Sequence, residues 1–557
     1  MTLKMSADLL RNRWQQLSEP VVRRLQAEKL RHYLRSSVLP FSAHYQKLFR
    51  EHHLDVDSFH SLDDLQQIPF TSKTDLVATA DQPQKFRDFI LVPDPKVLTR
   101  RPEVVMQALL HGKEWVKQQF EAEFRPIFVT FTTGRSAEPT PFFFSQQDIT
   151  NLQTAARRVT EICGGHHDYK MLNMFPFAPH LAFWLAHYAG TAGGIMTLST
   201  GGGKVMGTEG TVRNLKKLQP DVLIGMPTFI YHLFTEAVEE GVRCETLKLI
   251  VLGGEKVSDG LREKLRALAA ELGAANVNVV ATYGFTEAKQ AWPECPFPHD
   301  QASGGYHIYP DLALIEIIDP VTGKTLPPGS PGEIVFTPLH ARATVVLRYR
   351  TGDLTDGGLT YEKCPHCGRT LPRLLGNISR RSEVKEMSLD KIKGTLVDFN
   401  ELEHVLDDSP QIGAWQVELR KKNDDPMEMD ELILHVHKIS DADERRLVSD
   451  LNERCSSRLE IHPNRILFHT AEEIRTLQGV GVLLKEQKVV DHRPGKNGNG
   501  NGTGNGNGAK ESRTNGAVEV AVNGNGNGNG NGNGHSNGNG HGNGAGVGTA
   551  RDLAENK

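Results

Sequence analysis

Short apolar runs rich in β-branched residues alternate with helical patterns through the middle of the chain. Strands are predicted at residues 127–131, 222–225, 249–252, 277–281, 313–318 and 333–337. Two of the intervening segments, 228–240 and 258–272, have the apolar spacing of a helix and the length of a right-handed crossover. This alternation predicts an α/β fold with doubly wound sheets.

The first part of the chain, to about residue 120, has the three- and four-residue apolar spacing of amphipathic helices. Within it, one segment predicts a short helix, an extended turn at Pro69 and a further helix capped by Thr71 or Ser72. We expect this helical part and the strands after it to form one large domain over residues 1–380.

The pattern changes after residue 380. Residues 395–490 combine short strands, helices and charged loops, and they predict a small α+β domain over residues 381–493. Residues 494–557 are dominated by Gly and Asn and contain almost no core-forming side chains. We expect this tail to be disordered, because it cannot bury enough apolar surface to offset its conformational entropy.

Composition excludes several classes of protein. The chain of 557 residues has a net charge of −4, which gives no electrostatic reason to expect a nucleic acid or an anionic membrane as partner. The sequence has neither a signal-peptide pattern nor an apolar run of spanning length. Six cysteines are few for this length and fit a reducing compartment. We therefore expect a cytoplasmic protein.

Polar residues follow the predicted strand at 277–281 and form a candidate binding site. Tyr283 offers a flat ring to a base, Gly284 permits close backbone approach, and Glu287 offers a hard oxygen ligand to Mg²⁺. Ligands of open α/β sheets bind at the carboxyl ends of their strands, where these residues are expected. Taken alone, the pattern also fits an ordinary exit from a strand into a loop.

Several motifs occur in an order that resembles a known family. They are the segment 62–76, the loop from Thr132 to Thr140, Gly253-Gly-Glu255, Tyr283-Gly-Phe-Thr-Glu287, the segments 316–323 and 348–354, and Lys485 to Arg493. Together they resemble the adenylate-forming (acyl-CoA synthetase-like) superfamily, and within it the phenylacetate–CoA ligase branch. The resemblance implies that ATP activates a carboxylic acid as an acyl-adenylate. The acyl group then passes to the thiol of coenzyme A.

The resemblance also implies roles for individual residues. Glu287 is expected to hold Mg²⁺, Tyr283 to stack on adenine, and Thr286 to donate to the α-phosphate. Asp353 is suited to the ribose hydroxyls because a carboxylate has two acceptor oxygens. The remaining residues expected at the nucleotide are Gly253, Gly254, Glu255, Gly284 and Arg381.

The phosphate loop departs from the family pattern. Six residues keep it, namely Thr132, Thr133, Gly134, Ser136, Pro139 and Thr140. Elsewhere Arg135 replaces a Thr, Ala137 a Gly and Glu138 a Lys, which brings negative charge towards pyrophosphate. The alternative is therefore a degenerate, non-catalytic nucleotide-binding protein.

Lys485 is the candidate for the lysine that holds the carboxylate and phosphate during adenylation. It lies six residues before Asp491, as in the family, but Leu484 stands where a Gly is usual. The resemblance further implies that the small domain is mobile and rotates between the two half-reactions, about a hinge at Glu383. The other interpretation of Lys485 is a solvated surface charge.

A pair of cysteines predicts a structural zinc site. Cys364 and Cys367 have the spacing of a zinc knuckle, and Cys295 lies near His299 and His307 in the sequence. Either histidine could complete a tetrahedral set, and the resemblance to a Gly-x-His pattern favours His307. The alternative is a group of reduced, buried thiols.

Aromatic residues between the predicted strands suggest an acid-binding pocket. Phe177 and His180 lie in the region that lines the acid site in the family, which favours an aryl or related acid, although the same residues could belong to the core. Coenzyme A is the expected acceptor. A stand-alone enzyme that loads an acyl carrier protein is the alternative.

Overall fold

Parallel strands from the middle of the chain lie side by side in the principal sheet. The computed structural model describes residues 14–79, 81–132, 139–381, 384–389, 392–425, 429–439, 442–459, 461–483 and 486–493. These residues belong to one compact unit. The predicted tail at 494–557 lies outside the described residues. Among the residues described, no helix has the length and apolar character needed to cross a bilayer.

The strands are β1 (Phe128–Phe131), β2 (Pro141–Phe144), β3 (Lys170–Asn173), β4 (Met196–Ser199), β5 (Val222–Gly225), β6 (Leu249–Leu252), β7 (Asn278–Phe285), β8 (Gln290–Pro293), β9 (Tyr306–His307), β10 (Ala313–Ile318), β11 (Gly332–Pro338), β12 (Tyr349–Thr355), β13 (Leu359–Thr360), β14 (Arg373–Leu374), β15 (Ile378–Arg380), β16 (Val384–Leu389), β17 (Ile392–Asp398), β18 (Ile412–Lys421), β19 (Asp430–Lys438), β20 (Arg465–Phe468) and β21 (Val489–Asp491).

The α-helices are α1 (Glu19–Tyr33), α2 (Leu39–Phe41), α3 (Ala43–Glu51), α4 (Lys73–Leu76), α5 (Pro95–Leu98), α6 (Pro102–His111), α7 (Lys113–Phe124), α8 (Gln146–Ile162), α9 (Leu181–Gly193), α10 (Gly203–Leu218), α11 (Pro227–Glu239), α12 (Asp259–Glu271), α13 (Phe399–Asp407), α14 (Glu444–Leu459) and α15 (Ala471–Gln478). Helix α4 begins at Lys73, and the residue before it, Ser72, forms a capping box with Asp75, so the cap is Ser72 and not Thr71.

The principal sheet has the strand order β4-β3-β5-β6-β7-β8, and the pairs from β4 to β7 are parallel. The chain moves outward from β3 to β4 and then returns to β5 on the other side of β3. This reversal makes the sheet doubly wound, as predicted, and places a topological switch point between β3 and β5. Strands β5 and β6 are buried along their whole length, which is why they are continuous apolar runs in the sequence.

Strand β7 is longer than predicted. The sequence indicated a strand that stops at Ala281, but the extended backbone continues to Phe285. Its second half pairs antiparallel with β8, with Tyr283 opposite Trp292 and Gly284 opposite Ala291. The prediction of an abrupt end was wrong because it took polar residues as a loop signal, although they also occur in the second half of β7, which pairs with β8.

The described residues after 396 have a core of their own. Strands β20-β19-β18-β21 form a mixed sheet, and helices α13 and α14 contribute to the same apolar cluster. This part packs on α11 and α12 of the preceding region. Ser258, the N-cap of α12, donates to Asp407 at 2.8 Å, and Arg475 of α15 donates to Glu236 of α11 at 2.9 Å. The boundary at 380–381 stays a prediction.

Candidate active site

The carboxyl ends of β6 and β7 approach each other closely at the Gly-Gly-Glu segment. A Cβ atom at Gly253 would lie 2.5 Å from Oγ1 of Thr282, and Gly254 has a φ of +85° that favours glycine. Glu255 turns away from the sheet edge and accepts hydrogen bonds from the backbone and hydroxyl of Thr228, at 3.1 and 2.8 Å. Its carboxylate therefore caps helix α11.

Tyr283 and Asp353, 70 positions apart in the sequence, are in contact. The phenol of Tyr283 donates to Oδ2 of Asp353 at 2.8 Å, and Arg380 pairs with Oδ1 of the same carboxylate at 3.1 Å. Burial raises the pKa of Tyr283, and the negative charge of Asp353 adds to the effect. The expected ribose carboxylate thus lies beside the expected adenine ring. Arg381 instead donates to the carbonyl of Pro320 at 3.2 Å.

Glu287 follows β7 in a 3-10 turn formed by Thr286–Ala288. Its Oε1 accepts a hydrogen bond of 2.7 Å from the phenol of Tyr349, a residue of β12. Burial raises the pKa of Glu287, and the hydrogen bond from Tyr349 offsets part of the rise. Thr286 donates weakly, at 3.4 Å, to the carbonyl of Phe131. A carboxylate and a hydroxyl therefore lie side by side at the end of β7.

The base of the phosphate loop is closed by the hairpin of β1 and β2. Thr132 is buried, and its hydroxyl accepts from the backbone of Thr140 at 3.0 Å. The backbone of Thr132 in turn donates to the carbonyl of Thr140 at 3.1 Å. Residues 133–138 lie outside the described residues, and with them the predicted ligands Thr133, Gly134 and Ser136.

Two predicted site residues meet at the carbonyl of Phe131. His180 approaches this carbonyl through Nδ1 at 3.3 Å, and Thr286 reaches it from the turn after β7. Phe177 is 61% exposed and makes edge-to-face contacts with Phe183 and Trp184. Phe177 is therefore exposed while its neighbour Phe183 is buried in the core, and the acid pocket stays a prediction.

A small cavity lies at the topological switch point, between Met174 after β3 and Met226 after β5. The segment after α15 forms its other side, where Leu483 and Glu486 line it and Gly481 contacts Gly203. Burial and the neighbouring carboxylate of Glu255 together raise the pKa of Glu486 to about 10. Lys485 lies outside the described residues, as does Leu484.

The predicted metal-binding side chains come together in one group. Ligand atoms of Cys295, His307, Cys364 and Cys367 all lie within 4.8 Å of one another. Sγ of Cys295 is 3.7 Å from that of Cys364, and Sγ of Cys367 is 3.3 Å from Nε2 of His307. Nδ1 of His307 lies 3.2 Å from the carbonyl of Pro293, which orients the ring. The histidine of this group is His307 and not His299, and its role as a zinc ligand stays a prediction.

Comparison with known proteins places this geometry in a family. The family model for AMP-binding enzymes matches residues 20–339, more than half of the chain. The chain belongs to the AMP-binding enzymes. A phenylacetate–coenzyme A ligase of Thermus thermophilus is 30% identical over 72% of this chain and 79% of its own length. A protein with the same name from Pseudomonas putida is 29% identical over 66% and 72%. Within the family the chain is phenylacetate–CoA ligase-like.

A solved structure has the same fold as this AMP-binding enzyme. It is a 2-hydroxyisobutyryl-CoA ligase in the postadenylation state, with a TM-score of 0.67 and 19% identity. The match covers 86% of this chain and 92% of the other. At this identity the likeness shows the fold, which is the α/β fold of adenylating ligases.

Two contacts of the site were not predicted. Arg380 pairs with Asp353, and Tyr349 donates a hydrogen bond to Glu287. The expected contact of Arg381 with the nucleotide stays a prediction. The pairing of β12 with β15 places Asp353 opposite Arg380, and the sequence alone does not predict this register. Tyr349 belongs to a motif that the sequence singled out. Its hydroxyl partner depends on how β12 packs against the turn after β7.

Proposed function

We propose that this AMP-binding enzyme activates an aryl or related carboxylic acid with ATP and then forms a thioester with coenzyme A. The observation that carries the proposal is the meeting of Tyr283 with Asp353, and of Glu287 with Tyr349, at the carboxyl end of β7. In this proposal Tyr283 supplies an aromatic ring for adenine, Asp353 a carboxylate for the ribose hydroxyls, and Glu287 a metal ligand. The relatives named phenylacetate–coenzyme A ligase favour an aryl acid.

The residues at the end of β7 fit a magnesium ion. Glu287 and Thr286 offer a carboxylate and a hydroxyl, the hard oxygen donors that Mg²⁺ prefers. When bound, the ion would neutralise charge that develops on the phosphate oxygens. In this proposal Thr286 also donates to the α-phosphate, while Asp353 accepts from the ribose hydroxyls and orients the nucleotide.

In the same proposal Lys485 binds the acid carboxylate and the phosphate during adenylation. The described residues on either side of it support this role, because Leu483 and Glu486 line the cavity at the switch point. The small domain, residues 381–493, then rotates to admit coenzyme A. This domain has its own apolar core, and it contacts α11 and α12 through polar groups. Both features are consistent with a domain that moves as a unit.

Pyrophosphate exchange into ATP, measured over a panel of aryl and aliphatic acids, tests the first half-reaction. We expect exchange that depends on Mg²⁺ and is fastest with an aryl acid. No exchange with any acid, together with intact ATP binding, would establish a non-catalytic nucleotide-binding protein instead. Coenzyme A and a phosphopantetheinylated carrier protein are then compared as acceptors. Thioester formed only with the carrier would replace coenzyme A in the proposal.

We further propose that Cys295, His307, Cys364 and Cys367 hold a structural zinc ion. Three sulfur atoms and one imidazole nitrogen form the donor set of a tetrahedral zinc site, and four protein ligands leave no open position for catalysis. Hydrogen bonding with Cys295 lowers the pKa of Cys364 and of Cys367, which favours the thiolate form that zinc binds. The ion would join the region after β8 to the knuckle before β14.

Elemental analysis of the purified protein tests the zinc proposal. We expect about one zinc per chain, and we expect C364S to lose it and to unfold at a lower temperature. The matched control is C455S, because Cys455 is also buried but lies in α14, within the separate small-domain core. Absence of zinc from the unsubstituted protein, or equal zinc in C364S, would refute the site.

A further inference from the structure

Arg348 joins the motif at residues 62–76 to the strand that carries the nucleotide site. Its guanidinium is buried and forms two hydrogen bonds with Glu316, at 2.9 and 3.1 Å. The remaining donor, Nη1, reaches the carbonyls of Gln66 and Ile68, each at 2.9 Å. Arg348 has a φ of +45°, which is uncommon for a residue with a side chain. The strain persists because the surrounding contacts hold it.

Thr71 fixes the backbone on both sides of Tyr349. Its amide donates to the carbonyl of Arg348 at 3.1 Å, and its carbonyl accepts from the amide of Arg350 at 2.8 Å. Its hydroxyl donates to the carbonyl of Leu347 at 2.7 Å. These bonds make a parallel bridge between Thr71 and Tyr349. The position of Tyr349 is therefore set by residues 62–76.

The ring of Tyr349 extends from this braced backbone into the core, where it is 3% exposed. Its hydroxyl donates to Oε1 of Glu287 at 2.7 Å, across 62 positions of sequence. A hydrogen bond to one carboxylate oxygen restricts rotation of the group and leaves the second oxygen to a metal ion. Magnesium requires nearly ideal octahedral geometry, so the orientation of its carboxylate ligand affects its affinity.

We propose that Tyr349 is a positioning residue that holds Glu287 in the orientation required to bind the magnesium ion of MgATP. Residues 62–76, through Arg348 and Thr71, act as the brace that fixes Tyr349. This inference rests on the proposed function, in which Glu287 is the magnesium ligand. It gives the 62–76 motif a role at the site, although the side chains of that motif do not contact Glu287 themselves.

The test is Y349F, which removes the hydroxyl and keeps the ring. Loss of a partner that orients a metal ligand typically weakens metal binding by about 10- to 100-fold. We therefore expect the Mg²⁺ concentration for half-maximal ATP binding, measured by calorimetry, to rise by about tenfold or more. ATP binding without Mg²⁺ should change by less than about twofold, because Tyr349 acts through the metal ligand.

The matched control is Y33F. Tyr33 is 2% exposed and donates to the carbonyl of Ala341 at 2.6 Å, so this variant loses a similar buried hydrogen bond away from Glu287. It should leave the Mg²⁺ dependence unchanged even if its unfolding temperature falls. An unchanged Mg²⁺ dependence in Y349F, or an equal rise in Y33F, would overturn the inference.

A double-mutant cycle shows whether Tyr349 acts through Glu287. In the E287Q background, Y349F should cause no further change in the Mg²⁺ dependence of ATP binding, whereas an additive change would contradict the inference. If Y349F does not fold, T71V, which removes the hydroxyl bond beside Tyr349, takes its place with the same outcomes. Failure of the proposed function has a different signature, because the unsubstituted protein would then exchange no pyrophosphate with any acid.

Discussion

Asp353 is a buried carboxylate at the centre of the proposed nucleotide site. It is 4% exposed, and it accepts from Tyr283 and pairs with Arg380. Both contacts favour the ionised form, which accepts hydrogen bonds at both oxygens. In the proposed function the ribose hydroxyls join these partners when ATP binds. The affinity for ATP should therefore depend on the charge of this one side chain.

We predict that D353N weakens ATP binding by about tenfold or more, since hydrogen bonds to charged groups contribute about 1.5–3 kcal/mol. Calorimetric titration with ATP in the presence of Mg²⁺ measures the effect. D356N is the matched control, because Asp356 is an exposed turn residue that accepts from the backbone of Asn377 at 2.7 Å. Equal ATP affinities for D353N and D356N would argue against the assignment of Asp353.

The sequence could not show which of the adjacent residues Arg380 and Arg381 pairs with Asp353. Neighbouring residues of a strand point to opposite faces, so only the register of β15 against β12 decides which arginine faces Asp353. A one-residue change of register would exchange the two. The motif predicted Arg381 at the nucleotide, which stays a prediction, and it did not predict the ion pair of Arg380 with Asp353.

Strand β7 is the element on which the site depends. Its first half is a buried parallel strand, and its second half leaves that sheet to pair with β8. Tyr283 lies in the second half, and Glu287 follows it within two residues. The close approach at Gly284 allows this pairing, because a Cβ atom there would lie 2.6 Å from the Cβ of Ala291.

We predict that G284A lowers the free energy of unfolding by about 1–3 kcal/mol, the usual cost of overpacking, and weakens MgATP binding as β7 and β8 separate. Chemical denaturation and calorimetry measure the two effects. G210A is the control, because Gly210 lies in helix α10 with its nearest neighbour 3.3 Å from the added atom. Alanine has the higher helix propensity, so G210A should be neutral or slightly stabilising. A stable G284A with normal affinity would contradict this account.

In the molecule as a whole, a buried histidine connects helices α11 and α15, which are far apart in the sequence. His232 of α11 is buried, and its Nε2 is 2.8 Å from Oε1 of Gln478 in α15. Burial lowers the pKa of His232 and the bond to Gln478 opposes the shift, so that the pKa falls from 6.5 to about 4. The neutral imidazole is therefore the form that fits the folded protein.

We predict that stability falls as the pH drops from about 6.5 to 4. In this window the unfolded state binds a proton at His232 that the folded state does not bind, so the free energy of unfolding rises with pH. The full difference is on the order of 3 kcal/mol. Unfolding in urea at several pH values measures the slope, which H232Q should reduce. H299Q, at an exposed position, should leave the slope unchanged; equal slopes in all three proteins would refute the role of His232.

Much of the fold, and the types of residue at the candidate site, could be predicted from local sequence patterns. Buried parallel strands are continuous apolar runs, so β5, β6 and β10 occur at the predicted residues. Motif order identified the family, and cysteine spacing predicted the Cys and His group. These are local properties, determined by residues a few positions apart.

Contacts between distant side chains become apparent only in the tertiary structure. There His307 and not His299 lies with the three cysteines, β7 extends to Phe285, and the hydroxyl of Tyr349 donates to Glu287. Each result depends on strand register or on packing between elements far apart in the sequence. A one-residue shift of register would change all such contacts while leaving the local pattern intact. The partner of a side chain is therefore a property of the assembled fold.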